Sequence, residues 1–296
     1  IATNTNNNFL DDAVAVTLTG TSTVAQAADA EAATNSGTTT VEAIEDTAAL
    51  LAGSSNAVLN LVSGTVTAST AANAAEATTL QGFTEAVVYS VSDTAAAIAA
   101  QITTNTNDSF LDDAVNITAT GTGVANAADV SGANAILGAA NSGTKTIEEV
   151  RDTADQAALL SVGANETVSL LTVTDGAEDS EAVAIHALIG NGVTTASFSI
   201  EDTGTNVAAL TSGVLGSAEN ITTTGAAISA SDAGKILGAS NSGTTTLSAV
   251  TGTAAQILAL PIASNDTITT VTVTGTATAQ QALDIATLDA LTGVGT

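Results

Sequence analysis

A stretch that begins Asn-Ser-Gly-Thr constrains this chain more than any other feature, because the sequence contains it three times. The copies begin at Asn35, Asn141 and Asn241, which are separated by 106 residues (141 − 35) and 100 residues (241 − 141). A second stretch, Phe-Leu-Asp-Asp-Ala-Val, begins at Phe9 and again at Phe110, 101 residues later (110 − 9). Self-similarity at a fixed period is the signature of repeat architecture. The sequence therefore predicts an array of similar structural units.

Inside each copy, the residue pattern predicts short coils that consist of one strand followed by one helix. Val271 and Val273 alternate with threonines, which is the period of a strand with one buried face. Thr278 follows a Gly-Thr turn and can cap a helix on which Ala282 and Ile285 share one face. Strand starts are predicted near residues 15, 40, 57, 86, 115, 146, 167, 195, 220, 246 and 268. Their mean spacing is about 25 residues ((268 − 15)/10).

These coils predict the fold class. Strand-then-helix coils that repeat in one direction imply a parallel sheet along one side and short helices along the other. We therefore predict an α/β repeat solenoid with coils of about 25 residues, in which 1–296 forms a single array of about eleven coils. Its super-repeats would span roughly 1–101, 102–201 and 202–296. One alternative stays open, because apolar residues at helical spacing would also allow 146–160 to form one longer helix.

An aspartate recurs where one kind of coil passes from strand to helix. It occupies the same place in the motif at Asp46, Asp93, Asp152 and Asp202. A carboxylate at a helix N-cap accepts hydrogen bonds from the free N–H groups of the first turn. We therefore predict that these aspartates are N-caps.

The charge of the chain excludes several partners. Three basic residues face thirty acidic ones, which gives a formal net charge of −27. Nucleic acid and anionic membrane surfaces repel such a chain, so we expect no nucleic-acid partner. The hydrophobic fraction of 45% is too high for a disordered acidic chain, so the chain should fold. No apolar run approaches the roughly 20 residues of a membrane-spanning helix, and we expect no membrane insertion.

The chain contains Asp-Thr-Ala-Ala endings at 46–49 and 93–96, the Asn-Ser-Gly-Thr stretches, and Thr-Gly-Thr-Ala-Thr at 274–278. These motifs resemble the repeats of very long bacterial surface proteins, including giant secreted or adhesin-like proteins of cyanobacteria. The resemblance covers nearly the whole chain and implies export. Such proteins often carry calcium-binding nonapeptides, but no Gly-Gly-x-Gly-x-Asp nonapeptide occurs here. The absence of cysteine and methionine also fits an extracellular or cell-surface location without disulfides.

Acidic residues that follow Asn-rich loops are the candidate metal ligands. They are Asp11, Asp12, Asp108, Asp112 and Asp113. Calcium takes six to eight oxygen ligands, and such loops could supply several of them. The spacing is not that of an EF-hand, however, and Asp and Asn are also common in solvated turns. A calcium site and a solvated turn therefore both stay open, with calcium as the one possible cofactor.

The sequence contains no motif typical of an enzyme, and we expect no enzymatic activity. His186, the single histidine, lies on a predicted helix, and with no cysteine a transition-metal site lacks ligands. There is no Gly-x-Ser-x-Gly elbow to position a nucleophile. Four Asn-x-Thr sequences, at Asn116, Asn165, Asn220 and Asn265, recur with the coils. Their recurrence makes them weak evidence for glycosylation.

We expect a structural extracellular protein that forms part of a filament, a surface layer or an adhesin stalk. The alternative is a ligand-binding solenoid module of a surface adhesin, which holds a carbohydrate or a protein. Neither the segment 1–14 nor the apolar helical pattern at 283–291 looks like the polar cap of a solenoid end. Heterologous contacts at such ends would build filaments, so the expected partner is the chain itself, end to end or side by side. A segment cut from one giant chain would show the same ends.

Overall fold

The computed structural model describes residues 8–292 of the chain. The chain divides into two compact units, of which the first contains Ile1–Glu149 and Gly163–Thr167, and the second contains Val150–Val162 and Val168–Thr296. Each unit is built from short strands and short helices that alternate along the sequence.

The strands are β1 (Val16–Ser22), β2 (Thr39–Asp46), β3 (Val66–Ala68), β4 (Val87–Val88), β5 (Val91–Thr94), β6 (Ile117–Thr120), β7 (Lys145–Asp152), β8 (Glu166–Ala177), β9 (Val193–Thr203), β10 (Ile221–Thr224), β11 (Ile228–Ser229), β12 (Thr245–Leu247), β13 (Val250–Gly252), β14 (Asp266–Ile268) and β15 (Val271–Val273). The helices are α1 (Asn8–Asp11), α2 (Val24–Glu31), α3 (Ala48–Ala52), α4 (Asn56–Leu59), α5 (Ala74–Gln81), α6 (Ala95–Asn105), α7 (Ser109–Asp112), α8 (Val130–Gly138), α9 (Ala154–Ala157), α10 (Asp179–Leu188), α11 (Gly204–Ala209), α12 (Ser212–Ser217), α13 (Ala230–Leu237), α14 (Ala254–Leu258) and α15 (Ala279–Thr292).

The strand pairs of the first unit are parallel. β1, β2, β3 and β4 are neighbours in that order, and β5, β6 and β7 pair in a second sheet. The register of β1 on β2 shifts between Leu18 and Thr21. Gly20 lies inside this bulge with a φ of +76°, a left-handed conformation that side chains disfavour.

The strand pairs of the second unit are also parallel. β8, β9, β10, β12 and β14 are neighbours in that order, and β11, β13 and β15 form a three-stranded sheet. The predicted α/β class with parallel sheets is therefore confirmed. The solenoid, its eleven coils and its three super-repeats stay predictions.

The core lies between the inner face of each sheet and the apolar faces of the helices. In β6, Ile117 and Ala119 are buried while Thr118 between them is exposed, which is the alternation expected of a strand with one buried face. The largest fully buried side chains are aromatic, at Tyr89, Phe110 and Phe198. With so few aromatic residues in the chain, the rest of the core consists mainly of Ala, Val, Ile and Leu.

The predicted strand starts are confirmed at ten of the eleven positions, each within two residues of an observed strand. The start near residue 57 is wrong, because α4 lies there and β3 begins at Val66. Ser55 caps α4 through a hydrogen bond from the Val58 N–H, and Val58 and Leu59 bury their side chains. A Ser cap before one helical turn therefore outweighs the strand preference of Val58.

The longer helix considered for 146–160 is also wrong, because β7 occupies Lys145–Asp152 and the short α9 follows it. Ile147 and Val150 are both buried in β7, although they are three residues apart. Apolar residues at this spacing fit a helix and an irregular strand equally well. Periodicity alone therefore could not distinguish a helix from a strand in this segment.

The predicted N-cap aspartates are not N-caps. The cap in each case is the following threonine: Thr47, Thr94, Thr153 and Thr203. The Thr47 hydroxyl accepts from the Leu50 N–H, the usual geometry of an N-cap. Asp46, Asp93 and Asp202, which precede three of these threonines, make a different contact.

Candidate functional site

Three of the aspartates that precede the threonine caps bind the start of the helix that comes before their own strand. Asp46 Oδ2 accepts from the Val24 N–H at 3.1 Å, 22 residues earlier, at the first residue of α2. Asp93 Oδ2 accepts in the same way from the Ala74 N–H at 3.1 Å, at the first residue of α5. Each carboxylate thereby satisfies an N–H group at a helix start that the helix itself leaves unpaired.

The second unit repeats this contact. Asp202 Oδ2 accepts from the Asp179 N–H at 3.0 Å, at the first residue of α10. Asp175, which the sequence motif does not mark, accepts from the Ala154 N–H at 2.7 Å. The signal that could have found Asp175 is its position, because it too lies near the end of a strand that precedes a helix.

The glycine of Asn-Ser-Gly is required by close backbone contact. A Cβ atom on Gly143 would overlap the carbonyl oxygen of Val115, and one on Gly37 would overlap that of Val14. A Cβ atom on the third glycine, Gly243, would overlap Asn220 Oδ1 and would lie 2.5 Å from the Glu219 carbonyl oxygen, a looser but still forbidden contact. The repeated motif therefore marks a place where two stretches of the chain approach too closely for a side chain.

Two of the Asn-x-Thr asparagines bind the threonine of an Asn-Ser-Gly-Thr stretch. Asn116 Oδ1 accepts from the Thr144 N–H and hydroxyl, both at 3.0 Å. Asn220 Oδ1 accepts from the Thr244 N–H at 2.9 Å and from its hydroxyl at 3.0 Å. These contacts give the recurrent asparagines a structural role between coils.

Two of the predicted calcium ligands accept hydrogen bonds from backbone N–H groups more than 20 residues later in the chain. Asp11 Oδ1 accepts from the Thr34 N–H at 2.8 Å, and Asp112 Oδ1 accepts from the Ala140 N–H at 2.6 Å. Thr34 and Ala140 each lie immediately before an Asn-Ser-Gly stretch. The two copies therefore use the aspartate in the same way.

The other predicted ligands lie beside them. Asp12 and Asp113 are exposed, and Asp108 immediately precedes α7. Within the described range 8–292, no three Asp, Glu or His side chains come together in a group that could hold a metal ion. Asp108, Asp112 and Asp113 are neighbours in sequence only, and the calcium site stays a prediction.

A cavity of about 330 Å³ lies beside β4 in the first unit. Phe83, Glu85, Tyr89 and Asp113 contribute to its wall. Tyr89 is almost fully buried, and its hydroxyl donates to the Phe110 carbonyl at 2.8 Å. Burial, and then the negative charges of Asp113 and Asp112, raise the pKa of Tyr89 well above its ordinary value. The cavity is therefore an acidic recess whose tyrosine is neutral and already hydrogen-bonded.

His186 is paired with a serine in the second unit. Its Nδ1 lies 2.7 Å from Ser217 Oγ, and the Ser217 hydroxyl lies 2.8 Å from the Gly213 carbonyl, to which it donates. Because the hydroxyl has one proton, His186 Nδ1 is the donor in the first contact. The Ser217 hydroxyl thus donates its proton to a backbone carbonyl. A serine nucleophile would instead donate that proton to the histidine that acts as its base.

Both units have strand edges with apolar side chains in solvent. Among residues 8–292, β1 pairs with β2 alone, and β14 and β15 are the outer strands of their sheets. Near β1, Phe9 and Val14 are 51% and 79% exposed. In α15, Leu283 is 61% exposed. The predicted uncapped ends fall partly on residues 1–7 and 293–296, which lie outside the described residues.

None of the helices between residues 8 and 292 combines the length and the apolar character that crossing a bilayer requires. A scan against models of protein families finds no match to this chain, and a search of curated protein sequences finds none either.

Proposed function

We propose that this chain is a structural extracellular repeat protein, without enzymatic activity, that forms part of a filament, a surface layer or an adhesin stalk. Its architecture would be an α/β repeat solenoid, and its repeats resemble those of giant bacterial surface proteins. The observation that carries the proposal is the use of the recurrent polar residues. Asp46, Asp93 and Asp202 all bind the helix start of the preceding coil. The residues that recur with the repeat therefore have a structural role, in which they connect neighbouring segments of the array.

The exposed edges support self-association. An outer strand presents unpaired N–H and C=O groups, which are a template for a further strand. All described strand pairs are parallel, so the edge at β1 and the edges at β14 and β15 are suited to accept a strand from a second copy in the same direction. Such a contact is heterologous, and heterologous contacts continue into filaments when the rotation does not close a ring.

The association can be tested by sedimentation velocity of the full chain over a range of concentrations. We expect the sedimentation coefficient to rise with concentration, and L283E to abolish the rise, because the charge would replace an exposed apolar side chain of α15. V124E is the matched control, since Val124 is 84% exposed but lies in the loop after β6. A chain that stays monomeric throughout, or equal effects of both variants, would contradict the proposal.

The cavity beside β4 favours a second candidate function, the binding of a carbohydrate. Its volume of about 330 Å³ lies at the lower end of the range for small ligands. Phe83 offers an apolar ring, and Glu85 and Asp113 offer acceptors for sugar hydroxyls. A glycan array probed with the full chain tests this function. Binding that F83A removes would support it, and an array without bound glycans would leave the structural role alone.

A further inference from the structure

The middle Asn-Ser-Gly copy differs from the other two at one position. In the first copy the Thr39 hydroxyl donates to Asn35 Oδ1 at 3.2 Å, and in the third the Thr245 hydroxyl donates to Asn241 Oδ1 at 3.3 Å. The middle copy has Lys145 in place of this threonine. The turn therefore places the side chain of residue 145 beside an asparagine amide, and here that side chain carries an amine.

Lys145 is buried, which is rare for a lysine. It is 8% exposed and is the first residue of β7, on the same face as the buried Ile147. Its Nζ donates to the Leu137 carbonyl at the end of α8 and to Glu166 Oε1 at 3.0 Å. The other oxygen of Glu166 accepts from the Gly163 N–H. The amine is therefore held inside the first unit, in direct contact with one carboxylate.

Asn141, four residues before Lys145 in the chain, is buried and lacks the bonds of its counterparts. It is 9% exposed, and within residues 8–292 neither its Nδ2 nor its Oδ1 has a hydrogen-bond partner. A buried amide with both polar atoms unpaired requires an explanation, because buried polar groups are nearly always bonded. The segment 141–145 thus contains a buried amine, which is paired with the partly buried carboxylate of Glu166, and a buried carboxamide without hydrogen-bond partners among residues 8–292.

We propose that Lys145 and Asn141 form an intramolecular isopeptide bond, with Glu166 as the group that carries the proton. Glu166 Oε1, which lies 3.0 Å from Nζ, first accepts a proton from the amine, because only the neutral amine can act as a nucleophile. Rotation of the Lys145 side chain away from the Leu137 carbonyl then brings the free amine to Asn141 Cγ. Burial keeps water away from the amide carbon, so the amine is the nucleophile that reaches it.

The reaction needs no external reagent. Nζ forms a bond to Cγ, and the bond between Cγ and Nδ2 breaks. The amide nitrogen leaves with its own two protons and two protons from Nζ, as an ammonium ion. Glu166 ends as the carboxylate it was at the start. The product is an amide that joins the two side chains and no longer contains the unpaired Nδ2.

The composition of the chain gives this bond a clear readout. Lys145, Arg151 and Lys235 are its three basic residues, so trypsin has three cleavage sites in the denatured chain. An acylated Lys145 is not cleaved, and we expect one peptide, 1–151, where 1–145 and 146–151 would otherwise appear. Cleavage at Lys235 is the internal control for digestion. The intact mass should be lower than the sequence mass by one ammonia.

Two variants separate the bond from other modifications. N141S removes the amide, and E166Q keeps the size of the side chain but cannot carry the proton; both should restore cleavage at Lys145 and the full mass. Circular dichroism of each variant checks that it folds. A wild-type chain of full mass that is cleaved at Lys145 would overturn the proposal. So would loss of ammonia with normal cleavage, which indicates a succinimide, or loss of water, which indicates a bond to Glu166 instead.

Discussion

Asp46 binds two backbone N–H groups that are far apart in the sequence. One oxygen accepts from the Val24 N–H at 3.1 Å and the other from the Thr47 N–H at 2.9 Å. The first group begins α2 and the second belongs to the N-cap residue of α3. One carboxylate thus fixes where two successive helices start.

We expect Asp46→Ala to destabilise the chain by roughly 1–3 kcal/mol, because it removes two charge-assisted hydrogen bonds and leaves a helix start unpaired. Chemical denaturation followed by circular dichroism measures the free energy of unfolding. Glu45→Ala is the matched control on the same strand, since Glu45 is exposed, and it should change stability by less than about 0.5 kcal/mol. Equal effects of the two variants would show that the contact between coils contributes little.

The close approach at the Asn-Ser-Gly motif predicts a large difference between two glycines of the first unit. Gly143→Ala would place a Cβ atom on the Val115 carbonyl, and we expect it to cost about 1–3 kcal/mol or more through forced displacement of the backbone. Gly138, at the end of α8, has open space where its Cβ would lie. Gly138→Ala should therefore be neutral or stabilise by up to about 1 kcal/mol. The melting temperatures of both variants test this prediction. A Gly143→Ala variant with the melting temperature of the wild type would contradict it.

Most strand positions and the parallel pairing could be predicted from the sequence, because alternating Val and Thr residues and glycine turns are local signals. The role of Asp46 could not be predicted from the sequence. An aspartate suits both the N-cap of the helix that follows it and a hydrogen bond to the start of the helix that precedes it. The pair of Lys145 and Glu166 could not be predicted either. That contact joins residues 21 apart in sequence, and its geometry depends on how successive strands align.

Asp202 predicts an acid-sensitive contribution to stability. Burial alone would raise the pKa of Asp202, but hydrogen bonds from the Asp179 and Thr203 N–H groups and from the Asn206 amide outweigh it and lower the pKa. A lowered folded-state pKa means that the stabilisation is complete above the unfolded-state value. It is lost as the pH falls through the folded-state value.

We therefore expect Asp202→Asn to be less stable than the wild type at neutral pH. The difference should shrink as the pH falls below about 4, the ordinary pKa of an aspartate. Urea denaturation at a series of pH values measures it. A difference that stays constant from neutral to acid pH would contradict the stated charge state of Asp202.

Calcium should stabilise the chain if Asp108, Asp112 and Asp113 contribute to a site. Any cation reduces the self-repulsion of a chain with a net charge of −27, so calcium must be compared with sodium chloride at equal ionic strength. We expect calcium to raise the melting temperature further than sodium and a chelator to reverse the rise. Asp108→Asn should weaken the calcium response. Identical melting temperatures in the two salts would exclude specific binding and leave only screening.

The central claim is that the chain is a structural element that assembles through the edges of its sheets. Electron microscopy of the full-length chain, at increasing concentration and with and without calcium, tests it most directly. We predict filaments or an ordered lattice with a repeat along the direction in which strands stack, and their loss in L283E. Particles no larger than a single chain under every condition would contradict the claim.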